Sequence, residues 1–248
     1  MDEIYGSFSP DFHGTGLVEG RLDPLRYNSQ SDDPREVPGI LRALMPERVR
    51  VLDVGCGTGS VTLVANRGKG NQVLAVEPDA QRSAIARDRG IEVLCGFLDE
   101  GFMAQKGPFD VIVFSDVLEH LPSPDDMLKL AIRGLKPGGI ILASVPNVAH
   151  WSMRLNLLFG RFNYAETGLC DATHLRWFTQ SSLQRLFTRQ DLELLALRQS
   201  SGVFLSAYQS RYFKILPNRL RRKSIHVMTK IFPRLFACQF VVKARKTH

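Results

Sequence analysis

VRVLDVGCGTGSVTLV, residues 49–64, decides how this chain folds. Arg50-Val51-Leu52-Asp53-Val54 is a short β-branched run of the kind that forms a parallel strand covered on both faces. Gly55-Cys56-Gly57-Thr58-Gly59 then bends the backbone into an apolar-periodic segment that reads as a helix. Glycine serves two ends in such a bend. It permits a positive φ, and its missing Cβ lets main chain come within contact distance of a ligand.

Working outward, the same alternation recurs. Residues 72–77 (QVLAVE) read as a second strand ending in Glu77, with Pro78-Asp79 and a helix to Arg89 behind it. Residues 91–95 give a third strand, and 109–115 (FDVIVFS) a fourth. Ser123-Pro124-Asp125-Asp126 opens a helix to Leu135: a cap residue, proline at the first helical position and acids in the first turn. Lys136-Pro137-Gly138-Gly139 is a turn, and 140–145 a fifth strand. Strand and helix alternating five times predict a parallel sheet with right-handed crossovers. A strand end beside the first strand puts the Glu77 carboxylate over the crevice where open parallel sheets bind ligands, and there it can accept two hydrogen bonds from a ribose diol.

The bend is not a dinucleotide fingerprint. That pattern, G-x-G-x-x-G, needs a glycine where this chain has Ser60, and Gly59 comes one residue early. With an acid two places before the first glycine, 53–59 (DVGCGTG) resembles the first motif of the class I S-adenosylmethionine-dependent methyltransferases. The ordered series VLDVGCGTG, VEPD, FDVIVFSDVLEH, LKPGG and SVPN is similar to that family's motif series over roughly residues 40 to 200. The resemblance implies a Rossmann-like α/β fold with a mostly parallel seven-stranded sheet, whose last strand, near 236–244, inserts antiparallel between the fifth and sixth. It implies S-adenosyl-L-methionine as cofactor, held by Asp53, Gly55, Cys56, Gly57, Gly59, Glu77, Pro78, Phe97, Leu98 and Ser115. Phe97 departs from the family, which usually has aspartate there beside the adenine. Packing by Phe97 and Leu98, main-chain amides, or Asp99 are the alternatives.

Residues 147–178 depart from simple alternation and resemble a bacterial subgroup associated with surface-glycan assembly. Their mix of aromatics with Arg, Asp and His suits a lid that recognises a polar, ring-shaped acceptor, and equally a structural lid whose Trp177 and Phe178 pack on the sheet. Residues 1–33, rich in Gly, Ser, Pro and Asn, read as a loop or second lid. The remainder, 34–248, is one domain carrying the 147–178 lid and a basic helical flap at 203–232.

Methyl transfer to a hydroxyl requires alignment and a proton acceptor. His120, His150 and His174 are candidates because histidine titrates near neutral pH; His120 follows the fourth strand and His174 lies in the lid, and these two are assigned the role. Asp116, Glu119 and His120 also resemble the acid-x-x-acid-His metal site of some methyltransferases, but the first acid is Asp rather than Glu and no metal is assigned. The expected reaction is methyl transfer to a hydroxyl or carboxyl of a glycan or other small anionic metabolite. The alternatives are a nicotinamide-dependent oxidoreductase and a non-catalytic partner of a glycosyltransferase.

The 248 residues carry a net charge of +7, unevenly spread. After Glu193 there is no acid, while twelve Lys and Arg follow; +7 less those twelve leaves −5 on residues 1–193. The basicity is therefore local. It points to an acceptor, an anionic membrane surface or a lipid-linked substrate near the carboxyl end rather than to a nucleic-acid-binding surface, and it is equally the pattern of a solvated basic tail. In residues 203–232 the aromatic and cationic residues interleave at a spacing that also suits an ordinary packing helix. Four scattered cysteines lack any C-x-x-C pairing, no run reaches the roughly 18 apolar residues of a membrane span, and no basic-then-apolar leader begins the chain. A cytoplasmic enzyme is expected.

Overall fold

In a computed structural model, which describes residues 22–190, 192–210, 215 and 217–247, the β-branched run is strand β1 (Arg50–Val54), with four of its five residues buried. Around it lie α1 (Val37–Leu44), α2 (Ser60–Asn66), β2 (Gln72–Glu77), α3 (Ala80–Asp88), β3 (Glu92–Cys95), α4 (Glu100–Lys106) and β4 (Phe109–Ser115). A 3₁₀ turn at Leu118–His120 leads to α5 (Pro124–Arg133), β5 (Leu135–Pro146), α6 (Trp151–Leu158), α7 (Gln180–Thr188) and β6 (Leu192–Ser200). After a 3₁₀ turn at Ser206–Gln209 come α8 (Asn218–Ile231), α9 (Pro233–Phe236) and β7 (Gln239–Lys246). The strands form one sheet in the order β3-β2-β1-β4-β5-β7-β6. β1 to β5 pair in parallel, and β7 runs antiparallel to β5 and to β6, as expected.

The period of two along each strand divides the core into two layers. Ile112 and Phe114 face the side covered by α4, α5 and α7, where Phe102, Met127, Leu128 and Phe187 pack. Val111 and Val113 face the other side, against Ile40 and Leu41 of α1 and Ala65 of α2. A third, smaller cluster builds a cap above the sheet from Met153, Leu169, Leu205, Tyr208, Ile225 and Cys238.

Several boundaries differ from expectation for local reasons. Asp32-Asp33-Pro34 has the composition of a helix start, yet α1 begins at Val37, because Asp33 spends its carboxylate on the Arg35 amide and guanidinium. Gly39 is required within α1, since a Cβ there would lie 2.3 Å from the Asp33 carbonyl oxygen. Strand β5 begins at Leu135 and runs through the expected 136–139 turn, with its register to β4 shifted between Phe109 and Val111. β7 starts at Gln239, not 236, because Pro233 opens α9 through Phe236. Ser123 occupies the cap position of α5 without a side-chain bond, whereas Thr179 and Ser182 form a reciprocal capping box at α7. Residues 1–21 of the expected amino-terminal lid, and 211–214 and 216 of the expected flap, lie outside the described residues.

Candidate active site

The carboxyl ends of β1, β2 and β4 open into a cleft of about 1560 Å³, more than the roughly 300–1,000 Å³ usual for a small-ligand pocket. Its floor is the glycine bend. Gly55, Gly57 and Gly59 all have positive φ, at 70°, 58° and 77°, and the Gly55 and Cys56 amides both donate to the Val76 carbonyl, at 2.7 and 3.4 Å. The glycines are not equivalent. A Cβ on Gly57 would meet nothing within 4 Å, because that position faces the cleft, whereas one on Gly59 would lie 2.3 Å from Ile91 Cδ1. Gly55, Cys56 and Gly57 line the cleft; Gly59 does not, and its missing Cβ makes room for Ala86 of α3 and Ile91 just before β3.

Asp53 also lies beneath the floor rather than on the wall. Its Oδ2 accepts from Thr62 Oγ1 at 2.6 Å, and its Oδ1 has no partner. Burial pushes its carboxyl up to about 7, with the nearby Glu77 charge adding to the shift and the Thr62 hydrogen bond opposing it. Glu77, only 3% exposed, accepts from the Gly57 amide at 2.8 Å and the Asp79 amide at 3.0 Å. It thus grips the bend itself. Burial raises its pKa, against those two amides and the Arg82 charge. Pro78, Phe97, Leu98 and Ser115 line the same cleft. Asp99 does not: its carboxylate caps α4 by accepting from the Phe102 amide at 2.6 Å.

Across the cleft, the chain leaving β4 places Asp116 at φ 55°, a conformation that Asp tolerates better than most residues. Its Oδ1 accepts from Ser144 Oγ at 2.9 Å and Gln239 Nε2 at 2.8 Å, which oppose a burial that lifts its pKa to about 6. The next turn brings His120 and His174 together, ring centroids 4.9 Å apart and edge to face. The Thr173 carbonyl lies 3.1 Å from His120 Nδ1 and can only accept, so Nδ1 carries the proton and Nε2 keeps a lone pair. His174 Nδ1 has no partner. Burial lowers the pKa of both rings, that of His174 to about 4; both are neutral at pH 7. His150, the third candidate, is fully buried elsewhere, its ring nitrogens 2.8 Å from Ser152 Oγ and 3.0 Å from Tyr208 Oη, and it holds the cap together.

Glu119 is 1% exposed and neither carboxylate oxygen has a partner, so burial and then the charges of Asp116 and Asp171 hold its pKa well above normal. Ligand atoms of Glu119, His120 and His174 lie within 4.8 Å of one another. One carboxylate and two imidazoles are a donor set for a divalent transition metal, and the Thr173 carbonyl behind His120 is the usual orienting contact. Sequence alone did not reveal that the lid histidine completes the acid-His pair.

The lid is held down by residues 22–33, which carry no periodic signal. Asp171, fully buried, accepts from Tyr27 Oη at 2.8 Å and pairs with Arg26 at 3.2 Å. Burial works against its charge, but bonds from the Thr173 side chain and amide, and then Arg26 and Tyr27, outweigh it and lower its pKa. Arg82 Nε donates to the Pro24 carbonyl and Arg89 Nη2 to Asn28 Oδ1, both at 2.8 Å, so the strap is tied to α3 as well. Trp177 sits edge-on to His174, while Phe178 is buried in the main core. No described helix is long and apolar enough to cross a membrane, and all four thiols are free.

A family model described as a methyltransferase domain matches residues 28–197. The chain is 28% identical over 178 residues to the tRNA 5-carboxymethoxyuridine methyltransferase of Escherichia coli, covering 68% of this chain and 64% of that protein, just under two thirds of its length. It is 30% identical over 202 residues to the ubiquinone biosynthesis O-methyltransferase of Nitrobacter winogradskyi, covering 77% and 74%. Among solved structures, a SAM-dependent methyltransferase from Thermotoga maritima superposes with TM-score 0.56 at 17% identity over 84% of this chain and 86% of that one. The cyclopropane synthase MmaA2 of Mycobacterium tuberculosis does so with TM-score 0.57 at 15% identity over 94% and 93%. At such identities the two structures show the fold alone.

Proposed function

The chain belongs to the methyltransferase domain family, and from that premise we propose that it transfers the methyl group of S-adenosylmethionine to an oxygen of a polar acceptor. The observation that carries this reading is the pairing of Gly57 and Glu77 on one wall of the cleft with two neutral histidines on the other. Bound donor supplies an electrophilic methyl on a positively charged sulfur; the chain has to bind, orient and deprotonate. Gly57 offers main chain free of a side chain, Glu77 offers a carboxylate to the ribose hydroxyls, and Phe97 and Leu98 offer an apolar seat for the base. His120 Nε2, with its tautomer set by Thr173, takes the acceptor's proton as the carbon–oxygen bond forms and the carbon–sulfur bond breaks. Residues 22–33 and the 147–178 lid exclude water.

An acceptor hydroxyl or carboxyl is supported by the Nitrobacter relative, an O-methyltransferase by name. The glycan acceptor expected from the lid has no counterpart in the relatives' names, which refer to tRNA and to ubiquinone biosynthesis. A second reading, favoured by the bare carboxylate oxygens of Glu119 and the bare Nδ1 of His174, is that these two residues with His120 would hold a divalent cation, which would supply Lewis-acid activation of the acceptor oxygen. Calorimetry with S-adenosylmethionine and with NAD tests the donor; binding of NAD alone overturns the proposal. Turnover of labelled donor with a cell extract tests catalysis, and its absence favours the non-catalytic partner. Turnover that survives exhaustive chelation favours His120 as base, whereas loss restored by Mn²⁺ or Zn²⁺ favours the cation.

A further inference from the structure

We propose that the outward face of α8 docks this protein on an anionic lipid surface. The inference is independent of the donor and of the reaction. α8 has 14 residues, about 21 Å of helix. Its inner face is spent on the cap: Ile225 is 4% exposed in the cluster with Met153, Leu205 and Tyr208, and Thr229 is buried too. A helix that only packed would be polar on the other side. This one is not. Leu220, Val227 and Ile231 are exposed by 49%, 44% and 59%, and Phe232 beyond the helix by 52%. At 3.6 residues per turn the first three fall within about 40° of arc, an apolar stripe aimed away from the protein.

Cations flank the stripe. Arg219, Lys223, Lys230 and Arg234 are exposed and, among the described residues, form no ion pair. Arg222, on the inner side, is already paired with Asp33 at 2.9 Å and is not counted. Since no acid follows Glu193, α8 and α9 carry no carboxylate of their own to neutralise these cations. An apolar stripe edged by unpaired cations is the pattern of a helix that lies in the headgroup layer, its apolar residues reaching the acyl boundary and its cations drawn to anionic lipid. Nucleic acid would use the cations and leave the stripe in water. The same cap walls the cleft from within, through Phe204, Leu205 and Gln209, so docking would set the cleft close to the surface and suit an amphiphilic acceptor.

Sedimentation of the full chain with phosphatidylcholine vesicles, with and without phosphatidylglycerol, at low and physiological salt, tests this. Wild type should sediment with the anionic vesicles, less so at high salt. R219Q/K223Q/K230Q should bind them about a hundredfold more weakly, at roughly fivefold per cation. L220S/V227S/I231S should lose at least about tenfold. All these positions are exposed, so melting temperature and donor affinity should match wild type. Three results overturn the proposal: no sedimentation of wild type with anionic vesicles, which stands even if a variant misfolds; binding that the serine variant leaves unchanged; or binding of a structured RNA lost in the glutamine variant with no vesicle binding in any.

Discussion

Gly57→Ala and Gly59→Ala, two residues apart in one bend, should fail in opposite ways. Both put an L side chain at positive φ, 58° and 77°, a strain of about 1–2 kcal/mol, less the fraction recovered from a stiffer unfolded chain. At Gly57 that is the whole structural cost, since an added Cβ meets nothing within 4 Å. At Gly59 the Cβ also lies 2.3 Å from Ile91 Cδ1 and 3.4 Å from Ala86 Cβ, and overpacking against the end of α3 and the turn after it adds about 1–3 kcal/mol. G59A should therefore lose roughly 2–4 kcal/mol, a fall of about 5–15 °C in melting temperature for a chain of this size. G57A should lose only about 1 kcal/mol, yet its methyl enters the space proposed for the donor and should weaken binding of S-adenosylmethionine at least tenfold, about 1.4 kcal/mol. G59A, once folded, should bind within about twofold of wild type. Urea titration and calorimetry on both variants measure the two effects separately. Donor affinity untouched in G57A, or equally damaged in both, refutes the division of labour.

Glu77→Gln keeps the shape and an acceptor for the Gly57 amide but removes the charge, and should weaken donor binding by about 1–3 kcal/mol through loss of charge-assisted bonds; unchanged affinity in calorimetry removes Glu77 from the donor site. His120→Gln should lower turnover about 10²- to 10⁴-fold with donor affinity retained. Because burial holds His120 below its ordinary 6.5, wild-type kcat/KM should fall only as pH drops beneath that value, and this acid limb should vanish in H120Q; a limb above pH 7, or one that survives the substitution, refutes the assignment. Asp53→Asn isolates the buried carboxyl whose pKa stands at about 7 against 3.8 when unfolded. A raised pKa stabilises the fold below the unfolded value and is lost as pH rises through the folded one, so wild type should lose on the order of 4 kcal/mol relative to D53N between pH 4 and pH 8. Denaturation curves across that range measure the difference, and a gap that does not change with pH shows that Asp53 titrates normally.

The sheet and its floor were legible because their signals are local. Val51, Leu52 and Val54 sit on a strand covered on both faces, the bend needs positive φ at three glycines, and Asp79 and Thr179 cap their helices by reaching three residues ahead. The place of β7 came from family resemblance, because no periodicity says which two strands a third will enter. What depends on neighbours was not legible in this way. Asp99, one of three alternatives beside the adenine, is a helix cap; Gly59, placed with the donor by resemblance, makes room for Ile91; and of the three candidate histidines the two assigned, His120 and His174, face the cleft while His150 is locked under Tyr208.

The sequence by itself determined a parallel α/β sheet, a glycine bend and an acid at the end of the neighbouring strand, since backbone conformation and period are properties of adjacent residues. Only the tertiary structure decided that Glu119 and His120 meet His174, that Arg26 and Tyr27 close on Asp171, and that α8 turns Leu220, Val227 and Ile231 outward. Each of these depends on which surfaces long-range burial consumes and which it leaves bare.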